Sequence, residues 1–344
     1  MSNILIGLII IAIGSFGQSS SYVPIKKVKD WGWENFWLVQ GIFAWLVFPF
    51  LGALLAVNAE SSLCNILSAD AAAALKAVGY GVLWGIGGLT FGLSMRYLGV
   101  ALGQSLALGT CAAFGTLIPA LLNGSNLLSG SGLILLLGVG ITLAGIATIG
   151  YAGSLRARRM SEAEKRAAVK DFALKKGLLI ALLAGVMSAC FSLGLNAGEP
   201  IKAAAIAGGA QALFALNPVI LLVTIGGFVT NFIYCVYQNI KNKTGRSYFN
   251  VSPKILVNNL LFCALAGILW YSQFFGLGVG QNYLKESPVM MAFSWSILMS
   301  LNVTFSNVWG ILLKEWKGAG KVTVRALVLG MLILVFSLIF PNLF

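Results

Sequence analysis

Apolar residues fill this chain in long unbroken blocks, and charged residues gather almost entirely in the gaps between them. Ten blocks occur, at about 3–22, 35–57, 77–96, 99–121, 132–153, 177–197, 217–240, 256–280, 288–313 and 322–340. Each is close to the roughly 20 residues a helix needs to cross about 30 Å of hydrocarbon. A membrane barrel would show short segments of alternating polarity instead, so ten transmembrane helices are predicted. Met1-Ser2-Asn3 places no basic residue ahead of the first block, which is therefore expected to stay as the first span and not to be cleaved as a leader.

Two short patterns recur in order. Gly81-Val82-Leu83-Trp84 in the third block is completed by Tyr97-Leu98, and Gly267-Ile268-Leu269-Trp270 in the eighth is completed at the same spacing by Tyr283-Leu284. Val23-Pro24-Ile25-Lys26 closes the first block and Glu199-Pro200-Ile201-Lys202 closes the sixth, where proline ends or breaks the helical hydrogen-bond ladder. The one long charged stretch, 154–176, divides five blocks from five, and a unit with an odd number of spans repeats upside down. The chain thus reads as an all-α membrane protein of ten transmembrane helices in two inverted five-helix repeats, 1–153 and 177–344, joined by a basic linker. Such duplication is the signature of a secondary transporter with its substrate near mid-bilayer, where the repeats meet. Glu162-Ala-Glu164-Lys165-Arg166 predicts a short surface helix within the linker. Gly81, Gly85, Gly88 and Gly92 form a stripe on the third span that predicts close helix packing.

A composition of 58% hydrophobic and 10% charged residues, with a mean hydropathy of +0.90, agrees with the membrane reading. The net charge of +13 looks at first like a nucleic-acid signal, but its placement argues otherwise. With the amino terminus outside, 20 of the 23 basic residues fall on one side, and only Lys76, Lys202 and Lys285 fall on the other. The positive-inside rule explains that asymmetry, so both termini are predicted to be periplasmic and no nucleic-acid partner is implied. Membrane lipids remain as partners of the linker and spans. Of the five cysteines only Cys64 lies in a loop, which gives no disulfide framework, and no metal site or cofactor is expected; the chain has no histidine.

A sugar in a membrane pocket needs planar amides for its hydroxyls and aromatic faces for its C–H surfaces. The spans offer Gln18, Tyr22, Gln40, Trp84, Gln104, Asn196, Asn231, Trp270, Tyr271, Gln273, Trp295, Asn302 and Asn307. Of these, Gln18, Tyr22, Trp84, Asn196, Trp270, Tyr271, Gln273, Trp295 and Asn302 are the candidate substrate contacts. Trp31, Trp33, Trp37 and Trp316 adjoin basic loops and read as interface-belt residues. For proton coupling the candidate is Glu199, beside a broken helix end and Asn196; the other reading is a surface carboxylate neutralised by Lys202. Glu34 is expected to cap the start of the second span, and Glu286 to pair with Lys285. Short outer loops without a nucleophile and base at usable spacing argue against an enzyme.

Four segments then carry a resemblance: Tyr22-Val-Pro24-Ile-Lys26-Lys27-Val-Lys29-Asp-Trp31-Gly-Trp33-Glu34, Leu93-Ser-Met95-Arg96-Tyr97-Leu98-Gly99, Trp270-Tyr271-Ser-Gln273-Phe274-Phe275 and Leu313-Lys314-Glu315-Trp316. Over essentially the whole chain the sequence resembles the L-rhamnose–proton symporter family of the drug/metabolite transporter superfamily. The resemblance implies residence in a bacterial inner membrane and uptake of L-rhamnose or a related sugar with a proton. The alternatives it leaves are transport of another sugar, or export of metabolites or drugs as elsewhere in that superfamily.

Overall fold

The computed structural model describes residues 3–59, 61–98, 100–159 and 174–343. Among them ten helices are long and apolar enough to cross a membrane: α1 Asn3–Ile25, α2 Trp33–Leu54, α3 Ala71–Met95, α4 Gly103–Leu122, α5 Gly130–Arg158, α6 Lys175–Ala207, α7 Asn217–Asn242, α8 Pro253–Leu284, α9 Pro288–Leu312 and α10 Lys321–Asn342. The described residues form no β-strand beyond one isolated bridge between Asn58 and Ser61. All ten helices coincide with the apolar blocks. The linker helix expected at 162–166 lies outside the described residues.

Proline and polar residues set the helix ends. Pro218 and Pro288 stand in the first turns of α7 and α9, where the missing N–H is one the helix start leaves unpaired anyway. Ser287 caps α9, its hydroxyl accepting from the Met290 N–H at 3.4 Å. Helix α7 closes on Lys243, whose φ of 57° turns the chain so that its N–H meets the carbonyls of Asn239 and Ile240. The echoed prolines sit at interruptions: α1 breaks at Ser21 ahead of Tyr22–Ile25, and α6 breaks at Gly198 ahead of Glu199–Ala207. In both, the proline lies in the first turn of the second piece. Helix α2 carries a different irregularity, a π-helical segment over Ile42–Val47.

The helices gather into two compact units, each drawn from both halves of the sequence. One comprises Ile9–Gly85 and Gly194–Asn282; the other comprises Ile86–Leu193, the residues from Tyr283 onward, and those up to Leu8. This partition concerns packing and cuts across the repeat division at the linker. Within the first unit α2 lies on α7, and within the second α4 lies on α9 and α5 on α10. In these three pairs, helices holding the same place in the two halves are neighbours.

In the first unit the backbones of α3 and α7 meet. A Cβ on Gly81 would collide with the Val223 carbonyl, and one on Gly226 with the Val78 carbonyl. Small residues permit that approach where lipid supplies no hydrophobic push between helices. Thr230 fastens the contact by donating to the Val82 carbonyl at 2.9 Å. The glycine stripe works only over its first half: Gly85 faces Thr230, but Gly88 and Gly92 have nothing within 4 Å. In the second unit Gly145 and Gly330 let α5 and α10 close on each other, with Leu334 fully buried between them.

Candidate functional site

The first unit contains a box of aromatic rings on three helices. Trp45 from α2 meets Trp84 from α3 and Trp270 from α8 edge-on, with ring centroids 6.0 Å away in each case. Trp84 and Trp270 themselves lie 5.7 Å apart, and Phe274 meets Trp270 at 5.2 Å. Such pairs each contribute about 0.5–1.5 kcal/mol beyond the area they bury. Local sequence makes the room. Gly227 of α7 leaves its backbone bare under the Trp84 ring, and a Cβ on Gly41 would come within 2.6 Å of the Trp45 ring. Trp45 itself is carried by the π-helical segment, whose extra residue per turn redirects side chains relative to the α-helix on either side.

The rings continue along α2. Trp37 packs on Trp45 at 5.6 Å and stacks on Trp33 at 5.3 Å, and Trp33, 49% exposed, opens the row to solvent or lipid. The Trp37 indole N–H donates to Asn231 Oδ1 at 2.9 Å. Asn231 in turn donates to the Gly227 carbonyl at 2.8 Å.

Two buried polar atoms on α2 have no protein partner. They are the Trp45 indole N–H and the Gln40 side-chain carbonyl, on residues 3% and 4% exposed. An unmet buried group costs about 1–3 kcal/mol, and folded proteins keep few of them. One is a donor and the other an acceptor, the pair of functions that a hydroxyl can satisfy. Trp45, Trp84, Trp270, Phe274, Gln40 and Asn231 carry no formal charge, so the box suits a neutral, partly apolar molecule.

The L-rhamnose-proton symport protein family matches residues 1–341. The L-rhamnose-proton symporters of Yersinia pestis (strain Pestoides F) and Yersinia pseudotuberculosis serotype IB (strain PB1/+) are each 35% identical to the chain over 340 residues, which is 97% of this chain and 96% of theirs. The chain belongs to the L-rhamnose-proton symporter family. Its relatives are named as transporters, and with ten apolar spans it is a multi-pass membrane protein and not an enzyme.

In this symporter-family chain the candidate sugar contacts separate into groups. Trp84 and Trp270 meet in the box. Gln273, adjacent on α8 and 4% exposed, donates to the Trp270 carbonyl at 3.1 Å. The Tyr271 hydroxyl donates to Asn217 Oδ1 at 3.0 Å, with both residues buried. Gln18 is half-buried on α1 and accepts from the Ser19 hydroxyl at 3.4 Å; Asn196 is half-buried on α6; Tyr22 is 56% exposed. Trp295 and Asn302 belong to the other unit, where the Trp295 ring stacks on Phe191 at 6.1 Å and its N–H donates to the Cys111 carbonyl at 3.2 Å. Tyr271→Phe strips the buried Asn217 oxygen of its donor and should lower stability by about 1–2 kcal/mol, read as a lower melting midpoint in detergent.

Glu34 stands in the first turn of α2 with Oε2 over Gly32 at the helix start, while Oε1 reaches across to the end of α7. Glu286 accepts from Asn3 Nδ2 at 3.0 Å. Glu199 is 61% exposed and ion-paired with Lys202 at 2.9 Å. Trp45 carries no sequence signal beyond its distance from the basic loops. Tryptophan inside an apolar span reads as one more apolar residue until its neighbours on other helices are known.

Proposed function

We propose that this chain imports L-rhamnose together with a proton, by alternating access across a bacterial inner membrane. The observation that carries the reading is the uncharged tryptophan box with an unmatched donor, Trp45 N–H, and an unmatched acceptor, Gln40, on the same helix. L-Rhamnose is a deoxy sugar whose methyl group and C–H faces suit ring surfaces, while its hydroxyls suit the Trp45 N–H and the Gln40 carbonyl. Trp84 and Trp270 are the central contacts. Gln18, Tyr22, Asn196, Tyr271, Gln273, Trp295 and Asn302 are the other positions the sequence nominates for sugar, and Glu199 the one it nominates for coupling; the exposed ion pair with Lys202 fits the surface reading of Glu199 instead.

The architecture proposed with it has two inverted five-helix repeats, 1–153 and 177–344, with both termini periplasmic. Support comes from the meeting of Trp84 and Trp270, which are equivalent positions in the two halves, and from the matching breaks in α1 and α6. A broken helix in each half exposes backbone groups that a polar substrate can use. The test is uptake of labelled L-rhamnose by cells that make the chain, in weakly buffered medium. Saturable accumulation with alkalinisation on sugar addition is expected; sugar entry without proton movement would sink symport.

A further inference from the structure

Proton coupling requires a group that can carry the proton, and few are available. The chain has ten acidic residues and no histidine. Among the described residues Glu34 is the one acidic side chain that is buried, at 6% exposed. Its Oε1 accepts from Thr244 Oγ1 at 2.6 Å and from Asn242 Nδ2 at 3.0 Å. Its own backbone N–H is a further donor, all of these partners are neutral, and among the described residues no lysine or arginine lies within 4.0 Å of it. Cys235 of α7 and Tyr248 of the short helix Gly245–Tyr248 feel its charge, and Lys243 stands in the chain between the two donor residues. Burial pushes the Tyr248 phenol above its usual range, so it stays neutral, and Asn239 donates to its oxygen at 2.9 Å.

From this geometry we infer that Glu34 carries the coupled proton, with Asn242 and Thr244 acting as the donors that hold its ionised form. The inference rests on the proton-coupled import proposed above. A buried carboxylate without a cation remains charged only while hydrogen-bond donors satisfy it; otherwise the neutral acid is favoured. The acceptor lies at the start of α2; of the donors, Asn242 is the last residue of α7 and Thr244 follows the reversal at Lys243. Asn35 ties the same two places together, donating to Asn239 Oδ1 at 3.2 Å and to the Thr244 carbonyl at 3.1 Å. Separation of the α7 end from the α2 start removes the donors, and Glu34 takes up one proton to form the acid O–H. Their return breaks that O–H and passes the proton to water. Trp33 and Trp37 flank Glu34 on α2 and begin the row of rings that reaches the box, which places the proton site and the sugar site in one unit.

Glu34→Gln tests this, because the amide oxygen still accepts from Asn242 and Thr244 while titration is lost. In vesicles of phosphatidylethanolamine and phosphatidylglycerol with the full chain, the variant should lose at least about tenfold of the rhamnose accumulation driven by an imposed pH gradient. Exchange of labelled for unlabelled rhamnose should persist and become independent of pH. Accumulation by Glu34→Gln at the wild-type level, with wild-type proton uptake, overturns the assignment. Thr244→Val provides a second reading that leaves Glu34 in place. Loss of one donor should move the pH profile of accumulation upward by about one pH unit, and an unmoved profile counts against the proposal. Glu199→Gln should accumulate as wild type does; uncoupling there, with Glu34→Gln intact, assigns the proton to Glu199 instead. If the wild-type chain itself fails to accumulate rhamnose, the import reading fails, which is distinct from a failure of Glu34 alone.

Discussion

Leucine in place of Gly81 should remove the folded protein from the membrane, whereas leucine in place of Gly88 should leave it intact. The two glycines lie on one face of the same helix, and the sequence gives no ground for telling them apart. At Gly81 the new side chain meets the Val223 carbonyl, a backbone atom of α7 that cannot rotate away, while Gly88 faces open space. Adding volume to a packed core costs about 1–3 kcal/mol when neighbouring side chains can adjust. Here α3 and α7 have to part, which also breaks the bond from Thr230 to Val82 and unseats Trp84 from Gly227. Against a total stability of about 5–15 kcal/mol for a typical domain, that loss is large. Size-exclusion chromatography of tagged protein in mild detergent checks it. A monodisperse Gly81→Leu peak of wild-type height would refute the backbone contact.

Phenylalanine in place of Trp45 should weaken sugar binding about tenfold without lowering stability, about 1.4 kcal/mol of affinity. The substitution keeps a ring against Trp84 and Trp270 but deletes an N–H that no protein group meets. Relief of an unpaired buried donor offsets the smaller ring, so the melting midpoint should stay at or above the wild-type value. A donor that serves the sugar makes its loss visible in the half-saturation for uptake. A fall in melting midpoint with unchanged half-saturation would mean that Trp45 only packs.

The sequence shows the spans clearly because their cause is local: about 20 apolar residues in a row have few options other than a membrane helix. The breaks in α1 and α6 were legible for a similar reason, since proline acts on its own backbone. The echo around Trp84 and Trp270 pointed to two residues that do meet. What stayed hidden depends on other helices. Glu34 reads as a cap because it stands at a helix start, and only the end of α7 and the reversal after it bring Asn242 and Thr244 to it. The π-helical turn that carries Trp45 has no compositional mark in Ile42-Phe43-Ala44-Trp45-Leu46-Val47. The difference between Gly85 and Gly88 depends on where α7 runs, which no spacing rule within α3 contains.

The tryptophan box is uncharged although the chain as a whole carries +13. Charges in the loops feel dissolved ions, whose screening length is about 8 Å at physiological ionic strength. A neutral sugar held by rings and dipoles offers those ions nothing to screen. On the function proposed above, the charge that orients the chain in the bilayer and the surface that selects the cargo are therefore physically separate. Loop charges can drift with the lipid composition or salinity a host cell meets, and the preference for one sugar over another need not drift with them.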